Sequence, residues 1–420
     1  MISKIYNIQI ITPIFGGGVK ASENDPVTPI RPSSIRGHLR FWWRATRGAR
    51  CKSVAELRQR EGEIWGTTDN PSKVITEVSI ISKGKSYACA ELDTKGRYFR
   101  VKRELPQYAI FPFQGNTRKN EMPANCISGI IFNLKLIYSQ ADYQDVDAAV
   151  WAWVNFGGVG SRTRRGCGAL YCEELAPRSG DSRGIKAWYS FHLNDFWVDN
   201  NNIIELPKIP QKILINPSNG KPMEIWENLI EIMKNFRQGA GFGRNPGNSQ
   251  NQSVPGRSRW PEPETIRNVS ELPRGKHKRM DHIPDDAFPR SELGLPIIFH
   301  FKDDQHGDPA DSELTPMGKK RMSSPIILRP LAVGDGKKAV PMIVRLSVGP
   351  LMSVELKRDG ALIASSGEED IRNMRLAEYR NSPMSGLTNK GSALEAFISF
   401  AKSDSLAEKY SFKAFIEVGL

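Results

Sequence analysis

The order of strand and helix signals along the first 175 residues constrains this chain more than any other feature. Residues 4–11 partly alternate and are rich in β-formers, which predicts a strand. Thr12-Pro13-Ile14-Phe15-Gly16-Gly17-Gly18 ends it in a turn. Ser33 and Ser34 are suited to cap a helix that runs to about Arg47. Residues 74–82 and 127–138, rich in Val and Ile, read as strands. A helix starting at Asp142 or Asp145 runs through Phe156 and stops at Gly157-Gly158, and 167–175 reads as a further strand.

This β-α-β-β-α-β order predicts a ferredoxin-like domain, the frame of many RNA-recognition modules. Residues 83–126 become a long insertion between its second and third strands, and insertions of that size usually carry function or bind partners. The second half again mixes the two element types. Strands fit 212–215, 295–301, 325–331, 342–348 and 410–418; helices fit 222–236, 368–379 and 392–401. The expected class is therefore α+β, with one domain over 1–180 and a second, related one over 181–420. Residues 237–290 are rich in Gly, Pro, Asn, Ser and Arg, with ten basic and six acidic side chains. They read as a mobile segment or an arm that orders on binding.

Charge narrows the function. Residues 1–180 hold 26 basic and 16 acidic side chains, so they carry +10 of the chain's net +13. Such an excess favours a polyanion, nucleic acid before an acidic membrane. It peaks in residues 30–47, where no acid occurs between Asp25 and Glu56. On a helix Arg36, Arg40, Arg44 and Arg47 form one basic stripe beside an apolar stripe of Ile35, Leu39, Trp42 and Thr46. With Arg31 and Arg50 the segment holds six arginines and no neutralising partner of its own, which suits a phosphate backbone. The two tryptophans, Trp42 and Trp43, are expected in the core.

A second feature is Gly157-Gly158-Val159-Gly160-Ser161-Arg162-Thr163-Arg164-Arg165-Gly166-Cys167-Gly168. Glycines that allow close backbone approach, Gly160 among them, surround three arginines, and successive N–H groups there can form an anion nest. It is no Walker loop, since no G-K-[ST] follows. Gly239-Ala240-Gly241-Phe242-Gly243-Arg244 repeats the construction after another helix, as a duplicated domain would. A dinucleotide fingerprint is excluded there because no strand precedes it. Lys276, Lys278 and Arg279 form a short basic cluster that is equally a solvated loop or an RNA contact.

Catalytic and metal signatures are weak. None of the five cysteines forms a C-x-x-C pair, which argues against a zinc ribbon and a disulfide framework and for buried reduced thiols. His38, among the arginines, is the one candidate general acid or base, and His300 reads as structural. Asp285-Asp286 and Asp303-Asp304 are compatible with Mg²⁺ but sit in polar loops. No cofactor or metal is expected. No apolar run approaches the roughly 18 residues of a membrane helix, and no leader signature opens the chain, so cytoplasm is the default.

The two N-terminal motifs, Thr12 to Gly18 and Ile35-Arg36-Gly37-His38-Leu39-Arg40-Phe41-Trp42-Trp43-Arg44, resemble the signature of the first-named RAMP subunits of Cmr complexes, the type III-B CRISPR effectors. The loop Gly157–Gly166 resembles the RAMP glycine-rich loop, and Arg237 to Gly247, Trp260-Pro261-Glu262 and Arg321 to Pro330 resemble the same family. The resemblance implies two ferredoxin-like, RRM-like RAMP domains with long insertions, and a subunit of an RNA-guided complex that destroys invader transcripts. It implies a place near the 3′ end of the guide RNA beside another RAMP subunit, a part in capturing target single-stranded RNA, and no cutting role. Arg36, Arg40, Arg44, Arg162, Arg164 and Arg165 are then expected to line a shared groove with Arg31 and His38 nearby. Two alternatives stand beside this: a metal-independent RAMP endoribonuclease using His38, and a scaffold whose basic face and 83–126 insertion meet protein neighbours.

Overall fold

The computed structural model describes residues 1–18, 23–197, 203, 206–247, 255–270, 287–301, 308–367, 371, 382–385 and 392–420. They fall into two compact units, one of Met1–Glu231, Ile327–Gly349 and Phe415–Leu420, the other of Ile232–Ile326 and Pro350–Ala414.

In the first unit, β1 (Ile2–Ile10) alternates so that Tyr6, Ile8 and Ile10 are buried, and β2 (Ile14–Phe15) follows the turn. Helix α1 (Pro32–Ala45) starts one residue before the predicted serines. Pro32, with its preset φ, takes the first helical position, so Ser33 and Ser34 lie inside the first turn and no side chain caps it. Helix α2 (Val54–Trp65) escaped the periodicity reading, although Ser53 Oγ accepts from the Glu56 N–H in a capping arrangement visible in the sequence. β3 (Ile75–Ala88) and β6 (Asn125–Tyr138) pair from Ile75–Ile137 to Ala88–Asn125, both reaching further than predicted. The insertion therefore begins at Cys89 rather than residue 83. It holds a small hairpin, β4 (Ala90–Leu92) with β5 (Phe99–Val101), and the one-turn helix α3 (Gln107–Ile110). Helix α4 (Tyr143–Phe156) is buried along most of its length. The strand predicted over 167–175 shrinks to β7 (Leu170–Tyr171), because only Gln9 and Ile10 of β1 face it. The sheet order is β3-β6-β1-β7, with antiparallel pairs throughout and β2 also on β6.

The chain continues through α5 (Ser182–Phe196), β8 (Lys212–Ile215), α6 (Pro222–Gln238), β9 (Arg244–Pro246), β10 (Pro255–Ser258), α7 (Glu262–Val269), β11 (Ile297–Phe299) and β12 (Ser312–Pro316). It ends with β13 (Ile326–Val333), β14 (Lys338–Arg345), β15 (Ser353–Arg358), β16 (Ala361–Gly367), α8 (Ala393–Lys402), α9 (Asp404–Lys409) and β17 (Ile416–Gly419). A second sheet in the first unit runs β13-β14-β8-β17. Its strands follow one another in the chain as β8, β13, β14 and β17, and each holds the same sheet position as its counterpart in the first sheet. The predicted strand 410–418 is reduced to β17. The predicted helix 368–379 lies outside the described residues except for Ile371.

The second unit holds the antiparallel sheet β11-β12-β15-β16, of which the sequence suggested only β11. Its inner face, with Phe299, Leu314, Val354 and Leu356, packs on Ile266 of α7 and on Phe288. His300, expected inside a strand, falls just beyond β11, where its exposed ring shares a hydrogen bond with Asp311 at 2.6 Å. The described part of 237–290 is folded rather than a free arm. Trp260 is fully buried there. Arg257 and Arg267 both pair with Glu264, Arg267 also pairs with Asp308 at 2.8 Å, and Arg290 pairs with Glu262 at 3.0 Å. Those arginines neutralise buried acids, so they hold this unit together.

Helices α4 and α5 meet through an aromatic cluster in which His192 stacks on Trp151 at 4.5 Å. Burial pushes the His192 pKa down to about 4, against the field of Asp195 and Asp147. The folded state thus refuses a proton that the unfolded state accepts near pH 6.5. Stability is expected to fall as pH drops from 6.5 toward 4, by at most about 3 kcal/mol. Urea unfolding across that window measures it, and His192→Phe is expected to flatten the slope.

Candidate nucleic-acid interface

Helix α1 buries Ile35, Leu39, Trp42 and Trp43, which confirms both tryptophans as core and turns the opposite side outward. Arg36 and Gly37 are exposed there, and Arg40 and Arg44 are half-buried. The stripe exists, but most of its arginines are paired. Arg40 Nε and Arg44 Nη1 donate to the same oxygen of Glu61, at 2.6 and 2.5 Å. Arg31 donates to Asp25 at 2.9 Å and to the Gly17 carbonyl at 2.7 Å. Arg47 lies 3.6 Å from Asp145 and donates to the Asp195 carbonyl at 3.0 Å. Arg50 donates to the same carbonyl at 2.6 Å. Glu61 and Asp145 are supplied by α2 and α4, distant in sequence, so a count of acids within the segment could not find them. Among the described residues Arg36 makes no ion pair.

His38 leaves the stripe, since two positions along a helix turn a side chain by roughly 200°. Its ring lies nearly parallel to Trp153 of α4, 6.2 Å between centroids, and burial lowers its pKa below the usual imidazole value.

The glycine-rich loop that follows α4 is fastened to the segment between β1 and β2. Ser161 N–H donates to the Phe15 carbonyl at 2.6 Å, Gly168 N–H to Pro13 at 2.9 Å, and Thr12 Oγ1 to Gly166 at 2.6 Å. The N–H groups of Val159, Arg165 and Gly166 also donate to carbonyls of this loop. Those N–H groups are taken up within the protein rather than left for an anion nest, and glycine serves close packing here. Gly160 shows why: at φ +81° it presses on Ile14 and Phe15, and an added Cβ would lie 2.6 Å from both. Two of the loop's arginines are directed apart. Arg164 sits over the Phe41 ring of α1 at 5.7 Å, and burial pushes its pKa down to about 10. Arg162, in the left-handed region at φ 59°, sits over Phe111 of the insertion at 5.5 Å. The Arg165 carbonyl accepts the Trp226 indole N–H at 2.6 Å. What the fold brings together is Arg164 with α1, and Arg162 with the insertion; Arg31 is engaged elsewhere.

The start of the loop is held by a residue that sequence reading passed over. Arg329 of β13 is 1% exposed, and it donates to the Gly157 carbonyl at 2.6 Å and the Leu170 carbonyl at 2.8 Å. Desolvation pushes its pKa down to about 9. The available signal was one arginine within the otherwise uncharged run Ile326–Val333.

The third glycine run is not equivalent to the second. It follows α6, between the first and second strands of its sheet, whereas the loop after α4 lies between the third and fourth. Arg244 donates to the Gly256 carbonyl at 3.2 Å and ties β9 to β10. Lys276, Lys278, Arg279 and the Asp285-Asp286 and Asp303-Asp304 pairs lie outside the described residues. A cleft in the second unit that the sequence did not suggest, of about 480 Å³, is lined by Lys319, Lys320, Arg321 and Lys357 with Glu313. All five cysteines are buried free thiols. Among the described residues no group of three or more His, Cys, Asp or Glu is placed to hold a metal, and no helix is long and apolar enough to cross a membrane.

Residues 7–171 match the RAMP superfamily. The chain is 28% identical over 187 residues to the Cmr subunit Cmr1-2 of Pyrococcus furiosus, covering 42% of this chain and 97% of that one. It is 27% identical over 143 residues to Cmr1-1 of the same organism, covering 34% of this chain and 40% of that one. Among solved structures, apo Cmr1 from Pyrococcus furiosus gives a TM-score of 0.45 at 16% identity, over 82% of this chain and 88% of the other. The type III-B Cmr-beta complex bound to cognate target RNA contains a chain with a TM-score of 0.45 at 11% identity, over 82% and 94%. The match to the RAMP superfamily thus covers residues 7–171, and the curated relatives the chain resembles are Cmr1 subunits of CRISPR Cmr systems.

Proposed function

We propose that this chain is a non-catalytic RNA-binding subunit of a type III-B CRISPR (Cmr) effector. It would contact guide RNA near its 3′ end and target RNA in antiviral defence, in the cytoplasm, beside another RAMP subunit. The matched strand orders of its two four-stranded sheets support reading them as two ferredoxin-like domains with insertions.

The observation that carries the RNA reading is the outward face of α1. A glycine inside a helix costs about 1 kcal/mol relative to alanine. At Gly37 packing among the described residues does not require one, since an added Cβ would meet no atom within 4 Å. Beside it stands the exposed Arg36, with Arg40 and Arg44 oriented by Glu61 and Arg164 across Phe41. A bare helix face flanked by guanidinium groups fits a close-lying phosphate backbone.

The test is a mobility shift of labelled single-stranded RNA, with and without Mg²⁺, run on native and denaturing gels together. A shift that weakens steeply with salt and leaves the RNA intact is expected. No shift at low salt refutes the reading; defined cleavage products lost on His38→Ala would replace it with the endoribonuclease. Gly37→Ala gives a sharper check, because its two effects oppose each other. Thermal stability should rise, by up to about 1 kcal/mol of helix propensity, while RNA affinity falls several-fold.

A further inference from the structure

We propose that Phe111, backed by Arg162, is a stacking platform for an unpaired RNA base. The inference rests on the RNA-binding reading above and assigns it a site of different chemistry. Phe111 is 58% exposed, at the start of the 3₁₀ turn Phe111–Phe113 in the insertion. The turn is anchored through Phe113. Phe113 stacks on Phe15 of β2 with centroids 4.9 Å apart and planes 18° apart, and its carbonyl accepts from Ala124 N–H at 2.9 Å and Cys89 Sγ at 3.2 Å. The exposed ring is therefore held in place from below.

The guanidinium of Arg162 lies over this ring at 5.5 Å, and Ser161 N–H pins its backbone to Phe15. One ring face is thus covered by a cation and the remainder is open. Two further cations of the insertion lie by aromatic rings: Arg100, 6.0 Å from the half-exposed Tyr98 and donating to its hydroxyl at 3.1 Å, and Lys102, 5.3 Å from Tyr87 of β3. Residues 89–124 hold seven basic and four acidic side chains.

Rings interleaved with cations are what a single strand uses, since bases stack on aromatic faces while arginines meet the backbone. A protein neighbour would instead find charge at the centre of its contact, where interface cores are depleted of it. A base laid on the open face of Phe111 leaves Arg162 to hold the ring and to meet the adjoining phosphate.

The experiment uses the full chain and a single-stranded RNA carrying 5-iodouridine, with photocrosslinks mapped by mass spectrometry and affinities measured across a salt series. A crosslink at Phe111 is expected. Phe111→Ala and Phe111→Leu should weaken binding by about 5- to 100-fold, the range for loss of one stacked base. Phe111→Trp should retain affinity, and the salt slope should stay unchanged, since no phosphate contact is lost. Because the side chain is exposed, thermal melting should be unaltered in all three variants. If wild-type chain binds RNA with the expected salt dependence while Phe111→Ala binds equally well and crosslinks lie elsewhere, the platform is refuted and the RNA reading stands. Loss of a protein neighbour, without loss of RNA, from Phe111→Ala would also overturn it. If the wild-type chain binds no RNA, both fall.

Discussion

Arg329→Met is expected to lower the free energy of unfolding by about 3 kcal/mol. The substitution fills most of the volume but removes the donors to Gly157 and Leu170, leaving two buried carbonyls at roughly 1–3 kcal/mol each. The relieved desolvation of a buried guanidinium offsets part of that loss. Arg329→Lys retains a donor and should lose less. Urea unfolding followed by tryptophan fluorescence measures both. Equal stability of the methionine variant and the wild type would show that burying the charge costs as much as its hydrogen bonds return. Because Arg329 joins β13 to both ends of the glycine-rich loop, the methionine variant should also loosen amide exchange at Gly157 and nearby.

Arg36→Glu combined with Gly37→Asp is expected to weaken RNA binding by about 100-fold near 0.1 M salt and to reduce the salt slope by about 1. The pair is chosen for what it leaves alone. Among the described residues Arg36 makes no ion pair and an added Cβ at Gly37 would meet no atom within 4 Å, so α1 keeps its packing. Changing Arg40 or Arg44 instead would strip Glu61, a 7% exposed acid, of a partner and confuse stability with binding. A double variant with wild-type affinity would remove α1 from the interface. The basic cleft of the second unit, with Lys319, Lys320 and Arg321, would then be the next surface to change.

The failures of sequence reading have local causes. Helix α2 was invisible to a search for apolar stripes because it is mostly polar, and only its Ser53–Glu56 cap announced it. The predicted strand 167–175 carried the right composition, yet strand extent is set by the partner, and β1 offers only two residues there. Segment 237–290 read as a mobile segment or an arm that orders on binding because it is rich in Gly, Pro, Asn, Ser and Arg. Folding brings Glu262, Glu264 and the distant Asp308 onto its arginines.

By itself the sequence determined the alternation of elements in the first half, the amphipathic character of α1 and the placement of Trp42 and Trp43 in the core. These depend on hydrophobic periodicity and turn residues, which are local properties. It also determined that basic charge concentrates before residue 180. Only the tertiary structure decided which arginines carry charge outward. Arg36 stays exposed while Arg40, Arg44 and Arg47 meet acids from α2 and α4, His38 turns toward Trp153, and Arg329 disappears beneath the glycine-rich loop. An ion pair depends on a few ångströms between side chains far apart in the chain, and no spacing within one segment contains that distance.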